Sequence, residues 1–435
     1  MHQRSSSVAR VSSSLSDHFA PVRISILLVA ILGAGCEKQP LPVGALLPLS
    51  GDDAAVGQST RQGMELAQEE LQKEGRATGF VLQFEDTESK ADVARQRYED
   101  LLNSRAVMTV GGITPEEAQV LAPRAEERER VVLSPSAHDQ QLAANHRFFY
   151  RLAPSAAVTG TTIATFASKD LTLDSMVVVA ESKIQGDLFE EGLGSTFDRH
   201  GGEVLGRFDL DEAEVSWALE EIGRMRPDAI MLAGWGGWLA EMVTTLRDAG
   251  YRGKIFAPES FAAAAVREAA GTDARGVLVA ASPFETSAED PETQAFVEAY
   301  RSRYGSDPDV FAAAGWDTVL VLDAALTGRP NLPGEVRQWL RDDVKDLEGM
   351  IGHLQFNETG AATKYPRIYS VKDDLTLQDH GRWLEEEKQR IAEKRRRLEE
   401  QRRRLLEQMS QPDDADPDEE DAGESQSSGQ IASSG

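Results

Sequence analysis

The chain has 435 residues, with 73 acidic against 46 basic side chains, a formal net charge of −27 and a single cysteine. That balance argues against a nucleic-acid binder, which needs a basic footprint, and one cysteine permits neither an intramolecular disulfide nor a cysteine metal cluster. At roughly 100–200 residues per domain the length allows two or three domains.

Residues 1–23 are serine-rich and carry Arg4, Arg10 and Arg23; residues 24–32 are apolar except for Ser25. A basic start, a short apolar run and small residues before a cut describe a secretory signal. The run is shorter than the roughly 20 residues that span a bilayer. Gly33-Ala34-Gly35 directly before the lone Cys36 resembles the lipobox of bacterial lipoproteins, with Gly33 where Leu is usual. The expectation is a signal peptide over 1–35, a lipidated Cys36 and a linker over 36–40. The protein would then be held on the periplasmic side of a bacterial membrane.

The first segment after the linker organises the rest. An apolar run over 43–49 is followed by a small flexible loop over 50–57. Met64, Leu66, Ala67 and Leu71 then fall on one helical face. Strand, glycine-bearing loop and helix make the first half of a βαβ unit. Ligands bind beside such loops in open α/β sheets, so Ser50 is a candidate binding residue. Further strands are expected over 81–85, 107–111, 131–134, 148–152, 175–180, 203–208, 229–233, 254–257 and 277–280. Helical patterns lie between most of them, for example over 91–104, 188–199 and 239–249. Regular alternation means parallel sheets covered on both faces. We expect two doubly wound lobes, with a break near 151–160.

Thr114-Pro115-Glu116-Glu117 reads as a capping box with Pro at the first helical position. The N–H groups left free at such a helix start can hold a carboxylate. Asp307-Pro308-Asp309 opens the apolar helix Val310–Leu326 in the same way. Past residue 374 the composition changes. Leu384, Ile391, Leu398 and Leu405 recur every seven residues among Glu, Arg and Lys. One apolar position per heptad makes a poor coiled-coil seam, so 381–410 is expected as a solvated charged helix with i,i+4 pairs such as Glu393–Arg397 and Glu400–Arg404. Residues 411–435 carry −8 and too little apolar surface to fold. Residues 36–380 hold −24, so the acidity belongs mainly to the globular part.

Several segments together resemble the type I periplasmic binding proteins, in the Leu/Ile/Val-binding branch of ABC-transporter substrate-binding proteins. They are VGALLPLSGDDAAVGQSTRQGMELAQEEL, FEDTESKADVARQRYEDLL, VGGITPEEAQVLAPRAEERERVVLSPSAHDQQL, FYRLAPS, PDAIMLAGWGGWLAEMVTTLRDAGY and FVEAYRSRYGSDPDVFAAAGWDTVLVLDAAL. The resemblance implies two Rossmann-like lobes joined by three crossings, over about 41–155 with 284–335 and about 156–283 with 336–375. It implies a small ligand in the cleft and a partner permease. The carboxylate and ammonium of an amino-acid ligand would lie against the loop containing Thr114 and the loop containing Ser136, Ala137 and His138. Glu241 would meet the ammonium, and Trp235 would line the cleft. Gln185 stands where the family usually has Tyr, Pro115 where it has Ser, and His138 where it has Thr. These three departures point away from an ordinary branched-chain amino acid.

No phosphate-binding, zinc-protease or serine-hydrolase motif is present, so the expectation is a binding protein with no cofactor and no catalytic residues. An alternative keeps the fold and drops transport: a lipoprotein acting as a ligand sensor, or as activator of a cell-wall synthase, through its C-terminal helix.

Overall fold

The computed structural model describes residues 39–74, 76, 79–210 and 215–409. The expected signal, Cys36 and the acidic tail lie outside the described residues. The chain opens β1 (Leu41–Leu47), α1 (Ala54–Lys73), β2 (Phe80–Asp86), α2 (Ala91–Asn103), β3 (Met108–Val110), α3 (Pro115–Arg128), β4 (Val132–Ser134), α4 (Gln140–Asn145) and β5 (Phe149–Arg151). The five strands form one parallel sheet in the order β2-β1-β3-β4-β5. Val43 sits in register between Leu82 and Met108. On β1, Val43, Ala45 and Leu47 join the core beneath α1, while Leu46 joins the core beneath α2 and α3. A strand covered on both faces needs a continuous apolar run, which is why this one shows no alternation.

Next come α5 (Ala156–Lys169), β6 (Ser175–Ala180), α6 (Lys183–Arg199), β7 (Glu203–Asp209), α7 (Val215–Met225), β8 (Ala229–Ala233), α8 (Gly236–Asp248), β9 (Lys254–Pro258), α9 (Ala264–Ala270) and β10 (Leu278–Ala281). They build a second sheet, β14-β13-β10-β9-β8-β6-β7. Its pairs from β10 to β7 are parallel, and β13 (Arg367–Val371) and β14 (Leu377–Asp379) are added antiparallel at one edge. Between β10 and β13 the chain returns to the first sheet through α10 (Pro291–Tyr304), α11 (Val310–Leu326), α12 (Val336–Asp343) and the hairpin β11 (Leu347–Gly349) and β12 (Gly352–Leu354). The strands expected from the sequence fall within a residue or two of β1 to β10. The four short strands after α12 carried no readable pattern.

The expected last crossing, near 335/336, lies later in the chain. Arg337 Nε donates to Arg147 O at 3.0 Å, and buried Asp317 on α11 accepts N–H donors from Met350 at 2.6 Å and Ile351 at 3.1 Å. Ala362 N donates to Arg151 O at 2.9 Å, and Arg151 N donates to Gly360 O at 3.1 Å. Residues 336–362 therefore stay with the first sheet, and the third crossing follows them. The sequence offered no signal here, because α12 and a tight hairpin would suit either sheet.

The described C-terminal helix α13 (His380–Met409) is a separate unit. Its residues 393–404 are exposed, and Arg397–Glu393 (2.6 Å) and Arg404–Glu400 (3.1 Å) are formed as the spacing predicted. Among the described residues, no helix is long and apolar enough to cross a membrane.

The first sheet is held to its returning segment by the backbones of α1 and α11. A Cβ placed on Gly63 would lie 1.9 Å from Ala312 O, and one on Gly315 would lie 2.1 Å from Thr60 O. Only hydrogen fits at either crossing. Gly63→Ala is expected to destabilise the fold by about 1–3 kcal/mol, the usual cost of overpacking. Urea denaturation checks this, and an unchanged midpoint would contradict the close approach.

Candidate functional site

Loops leaving the carboxyl ends of the strands converge between the two sheets. After β3 and β4 they are stitched together on the first-sheet side. Ser134 Oγ donates to Gly112 O at 2.7 Å and accepts from Ala137 N at 2.9 Å and Ser136 N at 3.3 Å. Ser136 Oγ donates to Ile113 O at 2.7 Å. Thr114 caps α3 in the expected box: its Oγ1 accepts from Glu117 N at 3.3 Å, while Glu117 Oε2 accepts from Thr114 N at 3.5 Å and Ile113 N at 3.0 Å.

The two halves meet through aromatic rings. His138 Nε2 lies 2.9 Å from Gln185 Oε1, so with that amide orientation Nε2 carries the proton. The imidazole is stacked 6.0 Å from Trp235 at 18° and lies 5.5 Å from Phe189. Trp235, 8 % exposed, donates its indole N–H to Asp53 Oδ1 at 3.0 Å and its backbone N–H to Glu181 Oε2 at 3.0 Å. Phe311 of α11 packs its edge against the indole at 6.0 Å. His138, Phe189 and Trp235 border a small cavity of about 20 Å³ together with Ser136, Glu259 and Ser260, with Ala153, Pro154 and Thr159 at its side.

Of the residues singled out from sequence, Ser136, His138 and Trp235 line this cavity and Gln185 bonds to His138. Thr114 and Ala137 are buried behind it, their polar groups committed within the loops. Ser50 is exposed and donates its Oγ to Asp86 Oδ2 at 2.7 Å. Glu241 is not among the lining residues. The buried face of α8 is formed by Leu239, Ala240, Met242, Val243 and Leu246, which turns position 241 outward to solvent. The expected convergence of Thr114, Ser136, His138 and Glu241 is thus partial.

The carboxylates found here are different ones. Glu181 is the first residue after β6 and Glu259 the first after β9, while Asp53 immediately precedes α1. Strand ends were the signal that could have found the first two. Burial pushes Glu181 up to about 7, with Glu116 and Asp53 adding repulsion against the opposing Trp235 N–H. Burial also raises Asp53 despite the indole hydrogen bond, and raises Glu259 despite the bond from Ser282 N at 2.6 Å. It lowers His138, so the imidazole is neutral near pH 7. Among the described residues no group of His, Cys, Asp and Glu could hold a metal ion.

An acid whose folded pKa is raised binds its proton more tightly folded than unfolded. For Glu181 that holds between the ordinary 4.5 and about 7, so its share of stability falls as pH rises through that window. The ligand-free protein should melt at a higher temperature at pH 5 than at pH 8, and Glu181→Gln should flatten that slope. An unaltered slope in the variant would remove Glu181 from the account.

Comparison with known proteins agrees with this architecture. The family model described as periplasmic binding protein matches residues 40–375. The Leucine-, isoleucine-, valine-, threonine-, and alanine-binding protein of Pseudomonas aeruginosa is 21 % identical, over 81 % of this chain and 97 % of its own. Among solved structures, the branched-chain amino acid transporter substrate binding protein of Streptococcus pneumoniae in complex with isoleucine superposes with a TM-score of 0.69 at 23 % identity, covering 78 % of this chain and 98 % of that one. A solute binding protein from R. palustris in complex with benzoate gives a TM-score of 0.68 at 22 % identity, covering 78 % and 95 %. With two doubly wound sheets, a cavity between their strand ends and a family match over most of its length, the chain belongs to the type I periplasmic binding proteins, in the branched-chain amino acid branch.

Proposed function

We propose that this protein is the solute-binding component of an ABC importer, exported and anchored by a lipid on Cys36. It holds a small polar or amino-acid-like molecule in the cleft and changes nothing chemically. The observation that carries the reading is the cavity whose walls come from both halves, bridged by Trp235–Asp53 and His138–Gln185. A ligand seated there touches both halves and favours the closed arrangement by its differential affinity. The Pseudomonas relative is named for binding amino acids, and the R. palustris neighbour holds benzoate, an aromatic carboxylate. Both names support a small-molecule cleft here and leave its chemical preference to the residues that line it.

A ligand that binds only the folded form stabilises it by about 2.7 kcal/mol at 100 times Kd. Thermal shift against amino acids, amides, amines and small carboxylates should therefore show a response; a flat profile overturns the reading. Trp235→Ala should weaken the responding ligand at least tenfold in calorimetry, and Glu241→Ala should leave it unchanged. Cys36→Ser should move the protein from the membrane fraction to the soluble one. Retention in the membrane would contradict the lipid anchor.

One feature favours the sensor or synthase-activator reading instead. The helix α13 lies wholly beyond the family match, which ends at 375, and its stretch 393–404 is exposed and charged. Removing 381–435 separates the two. Ligand binding kept with a partner complex lost supports the second reading; transport and binding both unaffected supports the first.

A further inference from the structure

The cleft is unusually one-sided in charge. From the first-sheet half come Asp53, before α1, and Glu116, exposed in the first turn of α3. From the other half come Glu259, which lines the cavity, and Glu181, which accepts the Trp235 backbone N–H beside it. Trp235 lies between two of them, giving its indole N–H to Asp53 and its backbone N–H to Glu181. Among the described residues, no Lys or Arg lines the cavity. Two buried cations give part of their hydrogen-bonding capacity to backbone carbonyls, Arg151 keeping a buried Nε without a partner. Arg151 gives Nη1 to Ala153 O at 2.6 Å, and Lys364 gives Nζ to Ile351 O at 2.8 Å and Gly352 O at 3.1 Å.

Several loop donors that a ligand carboxylate could use are committed within the loops. Ser136 N and Ala137 N point to Ser134 Oγ, the Ser136 hydroxyl points to Ile113 O, and Ile113 N points to Glu117. Pro115 has no N–H to give. What the cavity does offer is aromatic surface: Trp235 and His138 stacked on each other, with Phe189 beside them. Ring faces attract organic cations, most strongly where water is excluded. Carboxylates behind those rings add to the attraction, and they repel an anion entering the same space.

We infer that the solute is a small organic cation, carrying an ammonium group and no free carboxylate, held against Trp235 and His138 between Asp53, Glu181 and Glu259. This rests on the solute-binding reading above and sharpens it. The ammonium balances carboxyls that burial pushes up in Asp53, Glu181 and Glu259. With Glu181 pushed up to about 7, binding should release a proton near neutrality. The charged groups facing Glu181 are Asp53 and Glu116, its hydrogen-bond donor is Trp235, and the nearby imidazole of His138 is neutral.

The test uses the full chain with four probes: choline, putrescine, isoleucine and benzoate, each by thermal shift and calorimetry. At least one ammonium probe should bind ten times more tightly than isoleucine or benzoate. Its affinity should fall as pH drops from 8 to 6. Glu181→Gln and Asp53→Asn should each cost about tenfold for that probe, and Glu181→Gln should also remove most of the pH dependence, a readout that a purely structural role would not change. If isoleucine or benzoate binds more tightly than both ammonium probes, the charge inference falls while solute binding stands. Silence from all four probes overturns both.

Discussion

Trp235 is the side chain on which the cleft depends. It belongs to the second sheet's half, at the end of β8, yet its indole N–H reaches Asp53 at the start of α1. Its backbone N–H fixes Glu181 on its own side. One residue thus satisfies a carboxylate from each half and sets the distance between them. The stacked imidazole of His138 and the edge of Phe311 hold the ring in place. An isolated carboxylate in such a half-buried place would be expensive without a donor. Here a single aromatic supplies both donors and also lines the cavity.

The remaining fold serves to keep those loops aimed. The first sheet is a stack of continuous apolar strands whose ends present Asp53, Thr114 and Ser136, and the second presents Glu181, Trp235 and Glu259. Behind them the chain crosses between sheets three times. The first and last crossings are tied by backbone bonds from Arg151 to Gly360 and Ala362. Asp317 and Lys364 add buried charges near the last crossing. Asp317, pushed up to about 7 by burial, accepts two backbone N–H groups, and Lys364 donates to two carbonyls. Groups of this kind contribute more to fixing one arrangement than to net stability.

The sheet strands were legible because burial on both faces forces uninterrupted Val, Leu and Ala runs bounded by turns. The Thr114 box and the Asp309 cap were legible because capping chemistry is local, and the structure has both. The residues around the cavity were only partly so. Ser136, His138 and Trp235 followed from a resemblance carried position by position. The same procedure chose Glu241, where the pitch of α8 turns the side chain away. Asp53, Glu181 and Glu259 escaped because 73 acids along the chain leave no carboxylate conspicuous; they stand out only once strand ends are located in space. The last crossing escaped because its partners, Arg147, Arg151 and Asp317, are distant in sequence.

Gly236, directly after the bridging tryptophan, has φ +50, and a Cβ there would come within 2.8 Å of Asp53 Oδ1. A methyl group at 236 would therefore act as a doorstop. It would press on Asp53, the carboxylate that Trp235 holds across the cleft, and a shift toward an unclasped conformer would reduce the competent fraction that a ligand finds. Apparent affinity scales with that fraction. Evolution, or an engineer, could thus tune how tightly this protein holds its cargo from a glycine just beside the cavity wall.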